Sequence, residues 1–259
     1  MLKFLVALDH SVESSFALRC ACSMARGRDV QLETFHVAEP PSRGRAFGAG
    51  WAIHTYESQY LKDVYLEMAG IIASQREELG TVPVLKVVSG SPVKQIVQEV
   101  EEGNFDALFL GSVHPLEGHD RGILLKLLAR LFCPFVIVKH YRPLRRAMIL
   151  VDDDEPPPRA LEKVSTLLQG LPLRIDVVRF TGSASQEEAQ EVLTGWRLAL
   201  EASVANLETR VIQGNPASDL PEIAADYGLV IQRRTPSGKP GPVSLRLLRT
   251  LPSPVMLWG

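Results

Sequence analysis

Residues that could do chemistry are concentrated at two places in the first half of the chain. Asp9 and His10 follow an apolar stretch and could act as an acid and a base. In the loop GSVHPLEGHDRG, His114, His119 and Asp120 could surround a metal ion. Their spacing matches no zinc pattern, and polar residues in an exposed loop are more often solvated. An aspartate at a strand end also commonly caps the next helix, so neither place predicts catalysis by itself.

Other reactive groups in the sequence also have structural explanations. Neither a Gly-x-Ser-x-Gly elbow nor a Gly-x4-Gly-Lys-Ser/Thr phosphate loop occurs. The acidic run from Asp152 to Asp154 precedes a proline-started helix, which favours a charged loop over a metal cluster. Cys20, Cys22 and Cys133 are too few for a disulfide framework, so we expect buried thiols in a reducing compartment.

Composition excludes several classes of partner. The 259 residues contain 28 Lys and Arg against 30 Asp and Glu, with neither half basic, so we expect no nucleic-acid partner and no anionic membrane surface. The most apolar stretch, Ile123–Val138, is interrupted by charges and is shorter than the roughly 20 residues that a membrane span needs. Asp9 falls where a signal peptide would be apolar, which predicts a cytoplasmic protein.

The elements that must position these residues alternate regularly. Apolar runs of strand length, each followed by a stretch of helical periodicity, predict strands at Phe4–Leu8, Val30–Val37, Val84–Val88, Ala107–Leu110 and Phe135–Val138. The helical stretches place apolar residues on one face at Val12, Phe16, Cys20 and Met24, and again at Leu61, Val64, Tyr65, Met68 and Ile72. Strands that alternate with helices predict an α/β fold with a parallel, doubly wound sheet.

The chain contains the same order of elements twice. Asp9 corresponds to Asp152, the segment Gly90-Ser91-Pro92 to Gly214-Asn215-Pro216, and Pro134 to Pro254. The second copy is shorter, mainly because the first copy has a long loop from Pro40 to Gly50, which could be a ligand cover or a plain surface excursion. We therefore predict two domains, 1–143 and 144–259.

Taken together, these motifs resemble the universal stress protein family. The resemblance depends on the strand ending Val6-Ala7-Leu8-Asp9 with a serine soon after, a strand ending His36-Val37, the Gly-x-Pro helix start, Asp-x4-Gly at 106–111 and a terminal Cys-Pro-x-Val strand. It implies two tandem five-stranded Rossmann-like sheets, whose last strands, 135–138 and 255–258, pair into an intramolecular pseudo-dimer. It also implies a ligand site at the strand-order reversal between strands one and four.

Resemblance to nucleotide-binding members implies a site formed by Asp9 and Val37 near a base and sugar, and by Gly111, Ser112, His114, Gly122 and Ile123 near phosphates. The family loop has the pattern G-x2-G-x9-G-[ST], from which this chain departs. His114 stands at the second glycine, Ile123 follows Gly122 in place of a hydroxyl residue, and the loop is contracted.

The second copy departs further from the family pattern. Its fourth strand runs into Arg233 and Arg234 with no glycine, and Pro242 removes a backbone donor. The basic side chains could attract an anion or form a solvated loop.

Three functional hypotheses follow from these observations. The first is a non-catalytic stress-response protein that has lost ATP binding and acts through a protein partner or a small ligand, with further homodimerisation open. The second is an adenine-nucleotide sensor that uses the first domain alone. The third, a hydrolase or nucleotidyl transferase, would need a loop such as Ser-Gly-Gly-x-Asp-Ser after strand one, where the sequence has His10-Ser11-Val12. No metal and no resident cofactor are expected, with ATP or another adenine nucleotide as the alternative for the first domain.

Overall fold

The computed structural model describes residues 1–39, 50–75, 80, 82–112, 114–152, 158–181, 185–235 and 240–259. The first unit comprises β1 (Leu2–Ala7), α1 (Val12–Ala25), β2 (Val30–Ala38), α2 (Gly50–Ser74), β3 (Val84–Ser89), α3 (Pro92–Gly103), β4 (Ala107–Gly111), α4 (Gly118–Leu128) and β5 (Phe135–Val138). The second comprises β6 (Arg146–Leu150), α5 (Pro158–Leu168), β7 (Arg174–Thr181), α6 (Gln186–Glu201), β8 (Leu207–Gln213), α7 (Pro216–Ala224), β9 (Leu229–Arg233), α8 (Pro242–Thr250) and β10 (Val255–Trp258).

All ten strands belong to one sheet in the order β3-β2-β1-β4-β5-β10-β9-β6-β7-β8. Neighbours within each unit are parallel, and β5 and β10 pair antiparallel at the centre, with Met256 opposite Val136. The predicted α/β fold is confirmed, and the two expected sheets are continuous with each other. Because β1 lies between β2 and β4, the order reverses at β1 and β4, where the sequence predicts a ligand site.

The internal repeat is visible in backbone geometry. Gly90 and Gly214 have φ of 143° and 156°, and their N–H groups donate to Ala38 O and Thr181 O at 3.1 Å. Both glycines therefore make the same turn before a helix. The predicted boundary between residues 143 and 144 falls in the connection from β5 to β6 and stays a prediction, while residues 40–49 of the first copy's long loop lie outside the described residues.

The core lies on both faces of the sheet because strand side chains alternate between them. Phe4 and Val6 pack in one cluster, whereas Leu5 packs in the other. Two helical predictions were wrong in detail, since Val12 is 62% exposed and Tyr65 is 45% exposed. Val12 comes directly after the N-cap of α1.

The cysteines are buried and free, as predicted. Burial raises the pKa of the Cys20 and Cys22 thiols to about 12, and that of Cys133 to about 11. These thiols are consequently protonated at neutral pH and poor nucleophiles. Among the described helices, none is long and apolar enough to cross a membrane.

Arg234 joins the two units, which corrects the expectation of a solvated or anion-attracting loop at this position. It is 2% exposed, and one guanidinium nitrogen donates to Leu128 O at 3.0 Å and Leu131 O at 2.9 Å. The guanidinium also lies 5.5 Å from the ring centroid of Phe135. Burial lowers the pKa of Arg234, and its charge is used to satisfy carbonyls at the end of α4.

We expect Arg234→Ala to lower the free energy of unfolding by about 2 to 3 kcal/mol. Two carbonyl oxygens would lose a charged hydrogen-bond donor, and the aliphatic part of the Arg234 side chain would no longer pack between the two units. Urea unfolding measures this change. The exposed Arg246 gives a matched control, whose alanine variant should stay within about 0.5 kcal/mol of the parent. Equal effects of the two variants would contradict this role for Arg234.

Candidate functional site

A pocket of ≈ 270 Å³ opens at the carboxyl ends of β1, β2 and β4, bounded by α3 and α4. Its apolar wall consists of Ala7, Leu8, Phe35, Val37, Pro92, Ile96, Leu110, Pro115, Ile123, Leu124 and Ile137. Its polar residues are Asp9, His36, Glu39, Ser112, His119 and Asp120, with Gly111 beside them. The pocket lies at the reversal of strand order, the position at which this architecture binds ligands.

The structure brings together five of the seven predicted site residues: Asp9, Val37, Gly111, Ser112 and Ile123 line the pocket. The other two, His114 and Gly122, do not line it.

His114 and Gly122 are displaced by the local backbone. His114 is exposed, with Nδ1 4.0 Å from Glu117 Oε2. Gly122 lies inside α4, which begins at Gly118, and a Cβ there would meet open space. Because the helix starts four residues before Gly122, the predicted glycine cradle at this position does not form.

Gly111 is a glycine for a different reason from the one the loop pattern suggested. A Cβ at this position would lie 2.2 Å from Glu13 C and Ser14 N in the first turn of α1. These are backbone atoms, which cannot move aside without moving the helix. Gly111 therefore permits α1 to pack on the end of β4, whether or not a phosphate approaches it.

Asp9 does not cap α1 itself but hydrogen-bonds to Ser11, the residue that does. Its carboxylate accepts a hydrogen bond from Ser11 N at 2.8 Å and another from Ser11 Oγ. The Ser11 hydroxyl in turn accepts from Ser14 N at 3.1 Å and caps α1. Asp9 is exposed at the pocket edge, so it borders the pocket while it organises the helix start.

Both hydrogen-bond donors of Ser112 are bonded to acceptors within the protein. Its backbone N–H donates to Val138 O at 3.1 Å, and its hydroxyl donates to Asp120 Oδ2 at 2.5 Å. Asp120 comes from the first turn of α4. A carboxylate therefore occupies the loop at which a phosphate would need donors.

His36 is the polar group in the pocket wall that sequence reasoning used only as a family landmark. It is 8% exposed, and its Nδ1 lies 2.7 Å from Leu8 O. A carbonyl oxygen only accepts, so Nδ1 carries the hydrogen, and in the tautomer protonated at Nδ1 alone Nε2 is an acceptor. The His10 ring lies 5.6 Å away, edge to face, and its Nδ1 is 3.3 Å from Glu67 Oε1.

The charged side chains among the described lining residues, the two histidines apart, are all acidic. Asp9, Glu39 and Asp120 contribute three carboxylates, while none of the lining residues that the structure describes is a lysine or an arginine. Across the described chain, no three His, Cys, Asp or Glu side chains are placed to hold a metal ion, including those of the loop at His114 and His119. The site thus offers hydrogen-bond acceptors beside an apolar wall.

The corresponding edge of the second unit has a hydrogen bond between two side chains. Gln232, which is buried near the end of β9, donates from Nε2 to Asp152 Oδ2 at 2.8 Å. Asp152 is the counterpart of Asp9, so its carboxylate is also engaged within the protein. Asp153 and Asp154 lie outside the described residues.

Comparison with known proteins gives one family and one fold. The model described as the universal stress protein family matches residues 1–139. A universal stress protein from Archaeoglobus fulgidus DSM 4304 superimposes with a TM-score of 0.69 at 16% identity, over 99% of this chain and 95% of that one. A functionally unknown protein from Pseudomonas aeruginosa PAO1 gives a TM-score of 0.60 at 16% identity, over 99% and 92%. No curated protein matches the chain significantly in sequence.

Proposed function

This chain belongs to the universal stress protein family, and from that premise we propose that it is a non-catalytic regulatory protein that binds a small ligand in the pocket of its first unit. The observation that carries the proposal is the pocket itself. It lies at the strand-order reversal and joins an apolar wall to a polar mouth, as small-molecule sites do. Ligand occupancy would be passed on through contacts with a protein partner.

We further propose that ATP is a poor ligand of this pocket. A triphosphate is held by converging backbone N–H groups and by cationic side chains. Here the N–H and hydroxyl of Ser112 are directed to Val138 and Asp120, and Gly122 is inside a helix. The carboxylates of Asp9, Glu39 and Asp120 would repel the phosphates.

Isothermal titration with ATP is expected to give a dissociation constant weaker than about 10 μM, which corresponds to roughly −7 kcal/mol. A phosphate-release assay is expected to detect no hydrolysis. Asp120→Asn should tighten ATP binding about threefold, because it removes one carboxylate from the pocket. Glu117→Gln is the matched control, since Glu117 is exposed, directly precedes α4 and does not line the pocket.

The adenine-nucleotide sensor is the alternative that the position of the pocket favours, because the reversal of strand order is where this fold class binds nucleotides. An ATP dissociation constant below about 10 μM, abolished by filling the pocket with Ile123→Trp, would establish the sensor and contradict the proposal.

A further inference from the structure

We propose that the ligand of this pocket is a small apolar molecule with a protonated nitrogen, such as an aromatic ring that carries an alkylamine arm. The inference rests on the proposed function, because it names the class of ligand for the same pocket. It follows from which hydrogen-bonding groups the protein has already used and which it leaves for a ligand.

The groups left for a ligand are acceptors. His36 is more than nine-tenths buried in the pocket wall, and its Nδ1–H donates to Leu8 O, so in this tautomer the ring offers a lone pair at Nε2. Ser112 has spent both its donors on Val138 O and Asp120. A ligand that presents N–H donors can pair with these groups, whereas a ligand that presents only acceptors cannot donate to the ring nitrogen.

The carboxylates add charge to this pattern. A carboxylate has about four acceptor positions. Asp120 accepts one described hydrogen bond, from Ser112, and Asp9 accepts two, from Ser11. Both retain acceptor capacity at the pocket edge, and no described lining residue brings a compensating lysine or arginine. A cation at the mouth gains attraction from each, and an anion meets repulsion.

The apolar wall requires that the cation have a hydrophobic body. Phe35, Ile96, Leu124 and Ile137 are buried or nearly so around a volume of ≈ 270 Å³. A bare ammonium or metal ion would leave this wall facing water, whereas a ring with a short amine arm covers it. The hydrophobic contact supplies binding energy and the acceptors orient the ligand.

Three indole probes that differ in charge test the inference on the full chain: tryptamine, tryptophol and indole-3-acetate. We expect tryptamine to bind at least about tenfold more tightly than indole-3-acetate, with tryptophol between them. The preference should shrink at 1 M salt, because the carboxylates lie at the solvent-exposed mouth. Titration calorimetry gives the three dissociation constants.

Variants of pocket residues test whether the preference for the cationic probe arises in this pocket. Asp120→Asn should weaken tryptamine about threefold and leave tryptophol within about twofold, while Glu117→Gln should change neither. Ile123→Trp should abolish binding of both. Tryptamine binding that survives Ile123→Trp would place the amine elsewhere and overturn the assignment.

The remaining outcomes separate the two proposals. Equal binding of the three probes, or tighter binding of indole-3-acetate, overturns the amine assignment and leaves a ligand pocket in place. If none of the three probes binds, the assignment is also overturned, whereas a failure of ATP to bind is the result that the proposed function expects.

Discussion

Replacing Gly111 by alanine is expected to lower the free energy of unfolding by about 3 kcal/mol or more, at the upper end of the cost of overpacking. The added Cβ would lie 2.2 Å from the backbone of Glu13 and Ser14, a distance that requires α1 to shift. Because α1 packs on β4 and its N-cap organises Asp9, such a shift also disturbs the pocket edge. Urea unfolding followed by circular dichroism measures the change.

Gly122 provides the matched control for this experiment. A Cβ at Gly122 meets no atom within 4 Å, and the residue lies inside α4. Gly122→Ala should therefore stabilise the protein by about 0.5 to 1 kcal/mol, the ordinary gain in helix propensity. A Gly111→Ala variant with near-parental stability would show that α1 does not need the glycine. If the variant is destabilised as expected, its loss of a ligand cannot be attributed to a lost phosphate contact.

The fold was largely predictable because it depends on periodicity. Continuous apolar runs of strand length, separated by recurring helical faces, place β5 and β10 at the bounds that the structure has. The errors lie where a residue's surroundings decide its exposure. Val12 and Tyr65 fit a helical pattern, yet both side chains are exposed.

The candidate site was predictable to the extent that it depends on strand ends. Asp9, Val37 and Gly111 reach the pocket because the carboxyl ends of parallel strands share one edge. The start of α4 at Gly118 was not predictable from the loop pattern. Because the helix begins there, Gly122 lies inside it. The burial of Arg234 was also missed, because its carbonyl partners belong to the other unit and are more than 100 residues away.

A buried carboxylate at the amino ends of β6, β7 and β8 has no counterpart in the sequence-based expectations. Asp176 is fully buried and accepts hydrogen bonds from Arg146 at 2.6 Å, from Tyr227 at 2.5 Å and from Arg174 at 3.3 Å. The Arg146 guanidinium also lies 4.6 Å from the Tyr227 ring centroid. Burial by itself would raise the pKa of the Asp176 carboxyl, but the hydrogen bonds from Tyr227 and Arg146 outweigh it and hold the pKa below its usual value.

Asp176→Ala is expected to lower the free energy of unfolding by about 3 to 5 kcal/mol, because it leaves the hydrogen-bonding groups of Arg146 and Tyr227 without their shared acceptor. Glu208→Ala is the control: Glu208 is exposed and pairs with Arg174, so its loss should cost under about 1 kcal/mol. Urea unfolding at pH 7 measures both variants. Equal losses in the free energy of unfolding would contradict the role of Asp176.

The pH dependence of Asp176→Asn gives a readout that packing alone would not produce. Since the folded state depresses the pKa of Asp176, the ionised carboxylate stabilises the protein fully above its unfolded pKa of about 4. That contribution is lost as the pH falls through the lower folded value. The stability difference between the parent and Asp176→Asn should therefore be largest at neutral pH and narrow below about pH 4. A difference that stays constant down to pH 3 would show that Asp176 acts through its shape and not through its charge.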